Sequence, residues 1–337
     1  MAMRISDTGR GKLSHPVYAA PDWNDVEALN TYALLSANLS NFMPQLQSHQ
    51  EFFQRYRYQQ VLNGNDLLHF ERDYPSPVEG WDAVLALVKA HRGIIATYHF
   101  GPFQLINYLL MRAKIPYVLL VAGQVIADWR AKYPQLLARM ELAARQGGFQ
   151  LLDANDPAAL RMLYCLLDKG FSLLIYTDGV EGVAHNRAAR MTRVNFLGQQ
   201  IYVPRGTATL AYRFGLPIYP CLLWREGDRI RVEAADTITV AEGVDPQQYA
   251  RMVADQLFAL LAKYVMHWPE QWTNWSVLHR FLLHKPPIGV AAGTVADMER
   301  HYGLVRVDNN PYLLEKRNYK MFPLDEVGFK LLKNSWF

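Results

Sequence analysis

Three groups of residues in this sequence have types and spacing that could do chemistry. The first is His99, where the apolar run Gly93-Ile94-Ile95-Ala96 gives way to Thr97-Tyr98-His99-Phe100-Gly101-Pro102-Phe103-Gln104. Gly101 permits a tight bend and Pro102 suits the first position of a helix, where no backbone N–H is needed. His99 is then expected at the C-terminal edge of a strand, facing a helix N-terminus, and in open α/β sheets that edge is where ligands bind. Gln104 falls in the first turn of that helix and could fold back onto the imidazole. The plain alternative is a histidine satisfied at a strand end. The second group is Thr177-Asp178-Gly179, which closes another apolar run and should lie on the same sheet edge. The third is the polar segment Glu181 to Arg193, with His185, Arg187, Arg190 and Arg193. It reads either as a solvated loop or as a recognition loop for phosphate or an acidic carrier, which guanidinium groups suit.

The elements that must position these groups follow from periodicity. Helices are expected from about Asp22, from Pro44 to Leu62, and from Trp81 to His91; the last leads into the His99 strand. Buried strands are expected at 116–121 and 171–177, because their apolar runs do not alternate, and a short strand at 149–152. Between them lie helices from Pro102 to about Met111, from Asp128 to Gln146 with a restart at Pro134, and from Asp156 to Lys169, capped by Asn155 or Asp156. Alternating strands and helices imply a largely parallel sheet with right-handed crossovers. Asn195 to Gly198 returns to a short strand and turn. A helix then runs from Pro204 to Gly215, with Arg205 in its first turn and small residues, Thr207 among them, that allow close approach to the sheet or a ligand. Leu216 to Trp224 and Arg229 to Ala234 pair about Glu226-Gly227-Asp228, and a long helix ends at Met266.

The fold expected is therefore α/β: a mostly parallel central sheet flanked by helices, with an N-terminal helical cap over residues 1–80, a core over 81–285 and a small C-terminal hairpin-helix extension over 286–337. In that extension Tyr312 to Phe322 reads as a hairpin turning near Arg317-Asn318, followed by a short helix capped by Asp325. It faintly resembles small peptide-recognition modules, against the plainer reading of an extension packed on the core.

Composition sets limits. Half of the 337 residues are hydrophobic and a fifth charged, with a formal charge of +4, which does not by itself imply nucleic acid. Cys165 and Cys221 lie in apolar runs and read as buried small hydrophobes. Residues 1–21 lack a signal-peptide core, and 105–122 is broken by Arg112, Lys114 and Pro116, so no membrane span is expected and the default compartment is cytoplasmic. No phosphate-cradling or dinucleotide glycine motif occurs, so no nucleotide cofactor is expected. His267, Trp268, Trp272, Trp275 and His279 match no metal-ligand spacing and read as a packed aromatic corner near the site, with no metal.

The order His99-x4-Gln104, Ile175-x2-Asp178-Gly179, Phe196-Leu197-Gly198, Gly206-x-Ala208-x-Leu210-Ala211-x3-Gly215-x-Pro217 and Pro269-x2-Trp272 resembles the lipid A late acyltransferase branch of the lysophospholipid acyltransferase superfamily, over roughly residues 80–280. The resemblance implies transfer of an acyl chain from a thioester, on the phosphopantetheine of an acyl carrier protein, to a hydroxyl or amine of a small-molecule or carrier-bound acceptor. His99 then takes the general base's place, and Gln104 and Asp178 complete the catalytic set. Asp178 matches a family aspartate with a structural or acceptor-positioning role. Gly101, Thr207, Arg187, Arg190, Arg193 and Arg205 are the candidate substrate contacts, the arginines for phosphate of the donor arm or the acceptor. No other cofactor and no nucleic acid partner is implied; peripheral membrane contact is allowed.

Three departures qualify this. Gln104 stands where the family pattern has aspartate or glutamate. An amide oxygen can hold the imidazole tautomer but cannot stabilise imidazolium as a carboxylate does, and the amide replacement in a serine-protease triad costs about 10⁴ in rate. The chain is accordingly a weakened enzyme, one with another acid near His99, a relative that lost transfer chemistry and only binds an acyl carrier or lipid-like product, or a Glu-to-Gln variant. The family's usual amino-terminal membrane anchor is not seen, which favours a soluble acceptor. Val121-Ala122-Gly123-Gln124 stands where such enzymes tend to carry an arginine.

Overall fold

The computed structural model describes residues 20–66, 78–132, 134–180, 190–282 and 295–337. Two helices come first, α1 (Val26–Phe42) and α2 (His49–Asp66). Asp25 caps α1 by accepting from Glu27 N–H at 2.9 Å. Helix α3 (Trp81–Ala90) then delivers the chain to β1 (Ile94–Thr97). The α/β alternation continues through α4 (Leu105–Arg112), β2 (Tyr117–Val121), α5 (Gly123–Lys132), α6 (Pro134–Arg145), β3 (Phe149–Asp153), α7 (Ala159–Asp168) and β4 (Ser172–Tyr176). After β5 (Met191–Phe196), β6 (Gln199–Pro204) and α8 (Gly206–Phe214), the sheet gains β7 (Ile218–Glu226) and β8 (Arg229–Ala234).

The central sheet has the order β3-β2-β4-β1-β7-β8, and every neighbouring pair is parallel except β7 with β8. The predicted mostly parallel sheet is therefore observed. Both faces are covered, which is why these strands lack alternation. Ile94, Ala96, Val118 and Leu173 pack on one side with the long helix α9 (Pro246–His267); Ile95, Leu119 and Leu174 pack on the other with α3 and α4.

Several local expectations are corrected. Helix α4 begins at Leu105, because residues 101–104 are spent on a bend and a turn closed by Leu105 N–H donating to Pro102 O; Gln104 is the residue before the helix. Helix α7 begins at Ala159 rather than Asp156, since Asp156 caps a preceding turn through Ala158 N–H. Its inward face is Ala159, Leu163 and Leu167, which turns Cys165 out to solvent; only Cys221 is buried. The arginine-rich segment is not a loop throughout. Glu181, His185 and Arg187 lie outside the described residues, but Met191–Phe196 pairs with Gln199–Pro204 in a hairpin whose turn residues, Leu197 and Gly198, both have positive φ. Period-two burial, Val194 and Phe196 in with Arg193 and Asn195 out, marks it as a half-covered strand lying on α9.

Three short 3₁₀ turns, Pro269–Gln271, Thr273–Ser276 and Leu278–Phe281, follow α9. The C-terminal extension holds more than the predicted hairpin and helix: α10 (Val295–His301) and β9 (Tyr302–Val307) precede β10 (Asn310–Glu315), β11 (Met321–Pro323) and α11 (Glu326–Trp336), and the strands form an antiparallel sheet β11-β10-β9. Helix α1 lies against this sheet. Asn30 pairs with both backbone groups of Arg306 at 2.8 Å, and Trp23 stacks on Phe337.

Candidate active site

Strands β1 and β4 run parallel and in register, Thr97 opposite Tyr176, so His99 and Asp178 leave the sheet side by side. His99 Nδ1 lies 2.9 Å from Asp178 Oδ1, and the His99 backbone N–H also points at this carboxylate, 3.1 and 3.2 Å from its two oxygens. A carboxylate can only accept, so this contact places the proton on Nδ1 and leaves the Nε2 lone pair free. The His99 side chain keeps 30% of its exposure and that of Asp178 1%. One end of the pair faces open space and the other is walled in.

Burying a carboxylate is costly unless hydrogen bonds replace its water. The turns after α9 supply them. Trp272 Nε1–H donates to Asp178 Oδ2 at 2.8 Å, and Asn274 Nδ2–H donates to the same oxygen at 3.1 Å and to Asp178 O at 2.8 Å. These turns are themselves pinned from several sides. Gln271 makes two 2.8 Å bonds to the Arg225 backbone at the end of β7 and accepts Gly101 N–H on its carbonyl, and Thr273 N–H donates to His99 O. From the N-terminal helices, Tyr56 OH donates to Thr273 O and Asn38 Nδ2–H to Trp275 O. The aromatic corner expected from sequence thus stands directly behind the histidine. Trp272 was visible there as packing; its hydrogen bond to Asp178, and Asn274, were missed. A lone asparagine between two tryptophans was the only available sign of a buried polar role.

His99 opens onto a cavity of about 390 Å³, within the usual range for small-molecule sites. Its walls are largely apolar, with Leu120, Val125, Ile175, Val180 and Leu210 from four elements and their ends, and Trp129 beside them. The Tyr176 ring lies 4.7 Å from the imidazole, and burial pushes its phenol well above the usual range, so it serves as a neutral donor, to Phe103 O. Gln104 and Thr207 line this cavity together with His99. Gln104 makes no hydrogen bond to the imidazole, and its Oε1 is buried without a partner among the described residues. Gly101 does not line the cavity; it packs against Leu223 and Gln271. Arg190 and Arg193 are exposed, and Arg205 lines a different cavity with Arg213 and Asp245, while Arg187 lies outside the described residues. The expected cluster of arginines around His99 is therefore not assembled among the described residues. Nor do three His, Cys, Asp or Glu side chains there stand close enough to hold a metal, and no described helix is long and apolar enough to cross a membrane.

The family model for bacterial lipid A biosynthesis acyltransferases matches residues 118–283, just under half of the chain. Asp178, Thr207, Trp272 and Asn274 lie inside the matched span, and His99 and Gln104 precede it. A search of curated proteins found no match.

Proposed function

We propose, taking residues 118–283 as a core of the lipid A acyltransferase type, that this chain moves an acyl chain from an acyl carrier protein thioester to a hydroxyl or amine, with His99 as general base. The observation that carries the reading is the bond between His99 Nδ1 and Asp178 Oδ1 at the mouth of an apolar cavity. With Nδ1 protonated, Nε2 takes the acceptor's proton as its oxygen or nitrogen bonds to the thioester carbonyl carbon. Asp178 then faces the imidazolium, the role a carboxylate plays behind the histidine of a catalytic triad. Collapse of the tetrahedral intermediate breaks the C–S bond, and the leaving thiolate takes the proton back from Nε2. The apolar walls suit an acyl chain, each buried methylene contributing about 0.8 kcal/mol.

Gln104 favours a second reading, a relative that binds an acyl carrier or lipid-like product without turnover. One assay separates the two: acyl-carrier donors with candidate alcohols and amines, products read by mass spectrometry, on the native chain and His99→Ala. Acyl transfer reduced by about 10³-fold or more in the variant supports the base. Binding of the acyl carrier with no product in either protein sinks it.

A further inference from the structure

A second, polar cleft lies between the α1–α2 connection and the C-terminal extension and shares no lining residue with the His99 cavity. It is a cavity of about 750 Å³ running into one of about 400 Å³, the two sharing Ser40, Arg300 and Lys316. His49 lines the larger part, and His301 and Arg317 the smaller.

Lys316 is the unusual member. It retains only 4% exposure, yet its ammonium has a single acceptor among the described residues, the backbone carbonyl of Glu299. Three protons are available on an ammonium, so its donor capacity is not filled. The charge of Glu299 acts on Lys316, but its carboxylate accepts from Gln50 Nε2–H at 3.2 Å and makes no ion pair with the ammonium among the described residues. Lys316 cannot move away, because its own backbone is held by His301 O and by Asn41 Nδ2–H, each at 2.8 Å. A buried cation without an ion pair costs stability, and an anion placed in the cavity would offset that cost.

Arg300 and Arg317 face the same space and make no hydrogen bond or ion pair among the described residues. Three cations therefore meet two carboxylates, Glu299 and Glu315, with His49 and His301 in addition. Arg300 comes from α10 and Lys316 with Arg317 from just past β10, so cationic side chains from two elements line the smaller cavity, where a tetrahedral anion's oxygens could accept from more than one of them. Gln47 and Ser48 also line the larger cavity, as does Ser40, whose hydroxyl donates to Ser36 O. The space is far larger than one ion needs, which points to an anion carried on an organic body.

We propose that this cleft binds the phosphoryl group of a phosphate ester, held by Lys316, Arg300 and Arg317. The test is calorimetric titration of the full chain with glycerol 3-phosphate, with acetate as the carboxylate control, beside sedimentation with phosphatidic acid or phosphatidylcholine vesicles. Glycerol 3-phosphate should bind the native chain, and binding should weaken by about tenfold or more in Lys316→Met and in Arg300→Ala/Arg317→Ala. The exposed arginine pair keeps the test valid if Lys316→Met fails to fold. Saturable binding of the soluble ester without vesicle association assigns a free metabolite. Vesicle association that needs phosphatidic acid and is lost in the arginine variant assigns a lipid headgroup. No binding to either form at about 10 mM phosphoryl group, equal binding by native and variant chains, or acetate binding as tightly, overturns the proposal. His99→Ala should leave binding unchanged, so this result and the acyl-transfer assay stand or fall separately.

Discussion

Replacing Asp178 by asparagine keeps the side chain's shape at the end of β4 but turns one oxygen toward His99 into an NH2. Four donors now converge on this carboxylate, from the His99 ring and backbone, Trp272 and Asn274. An amide there either presents an N–H to Nδ1, reversing the tautomer, or loses the bonds from Trp272 and Asn274. Asp178→Asn should therefore lower kcat by about 10³–10⁴-fold, as the equivalent change does in a triad; a loss under tenfold, in steady-state assays of folded protein, would count against the pair. Gln104→Glu tests the other candidate partner. His99 Nδ1 already has its carboxylate, and the buried Gln104 Oε1 makes no bond to the ring. That variant should change kcat by less than about tenfold, whereas a gain of a hundredfold would show that residue 104 governs the imidazole.

The turns that follow α9 are the element on which the site depends, since they touch the ends of β1, β4 and β7 at once. Gly101 is where backbone meets backbone. Its φ is +55°, and a Cβ there would sit 2.7 Å from Leu223 O and 3.0 Å from Gln271 Oε1. Gly101→Ala should push the Gln271 turn away, lowering stability by about 1–3 kcal/mol in urea titrations and reducing kcat through the displaced Trp272 and Asn274. Unchanged stability would show that the turn yields freely. The β1 and β4 strands were legible because buried runs announce themselves. Of the β5–β6 hairpin only the short strand and turn at Asn195 to Gly198 were legible; the rest was not, because its arginines suggested a loop and its burial alternation runs over only a few residues.

Across the whole molecule, α1 joins the two ends of the chain. Its Leu29, Ala33 and Ala37 pack against β9 and β10, while Asn38 and, from α2, Phe52 and Tyr56 reach the turns behind Asp178. His49 sits near this junction. Burial first, then the charge of Lys316, lower its pKa from 6.5 to about 4. Between those values the unfolded chain binds a proton that the folded chain does not, so stability falls as pH drops through the window and the slope from this group ends below about 4. Urea midpoints measured from pH 7 to 4 should fall less steeply in His49→Gln; equal slopes would remove His49 from the account.

The sequence by itself determined the parallel sheet, the edge to which His99 and Asp178 belong, and the family resemblance. These are local properties: run lengths of apolar residues, turn chemistry, and the rule that parallel strands end on a common edge. Only the tertiary structure decided which group holds the imidazole. Asp178 lies 79 positions from His99 and Trp272 another 94 beyond, and no periodicity encodes a contact between elements so far apart. The same reason leaves Arg190, Arg193 and Arg205 outside the cavity of His99, and it sets the cations of residues 300–317 opposite Ser40, Ser48 and His49 from the first two helices and their connection.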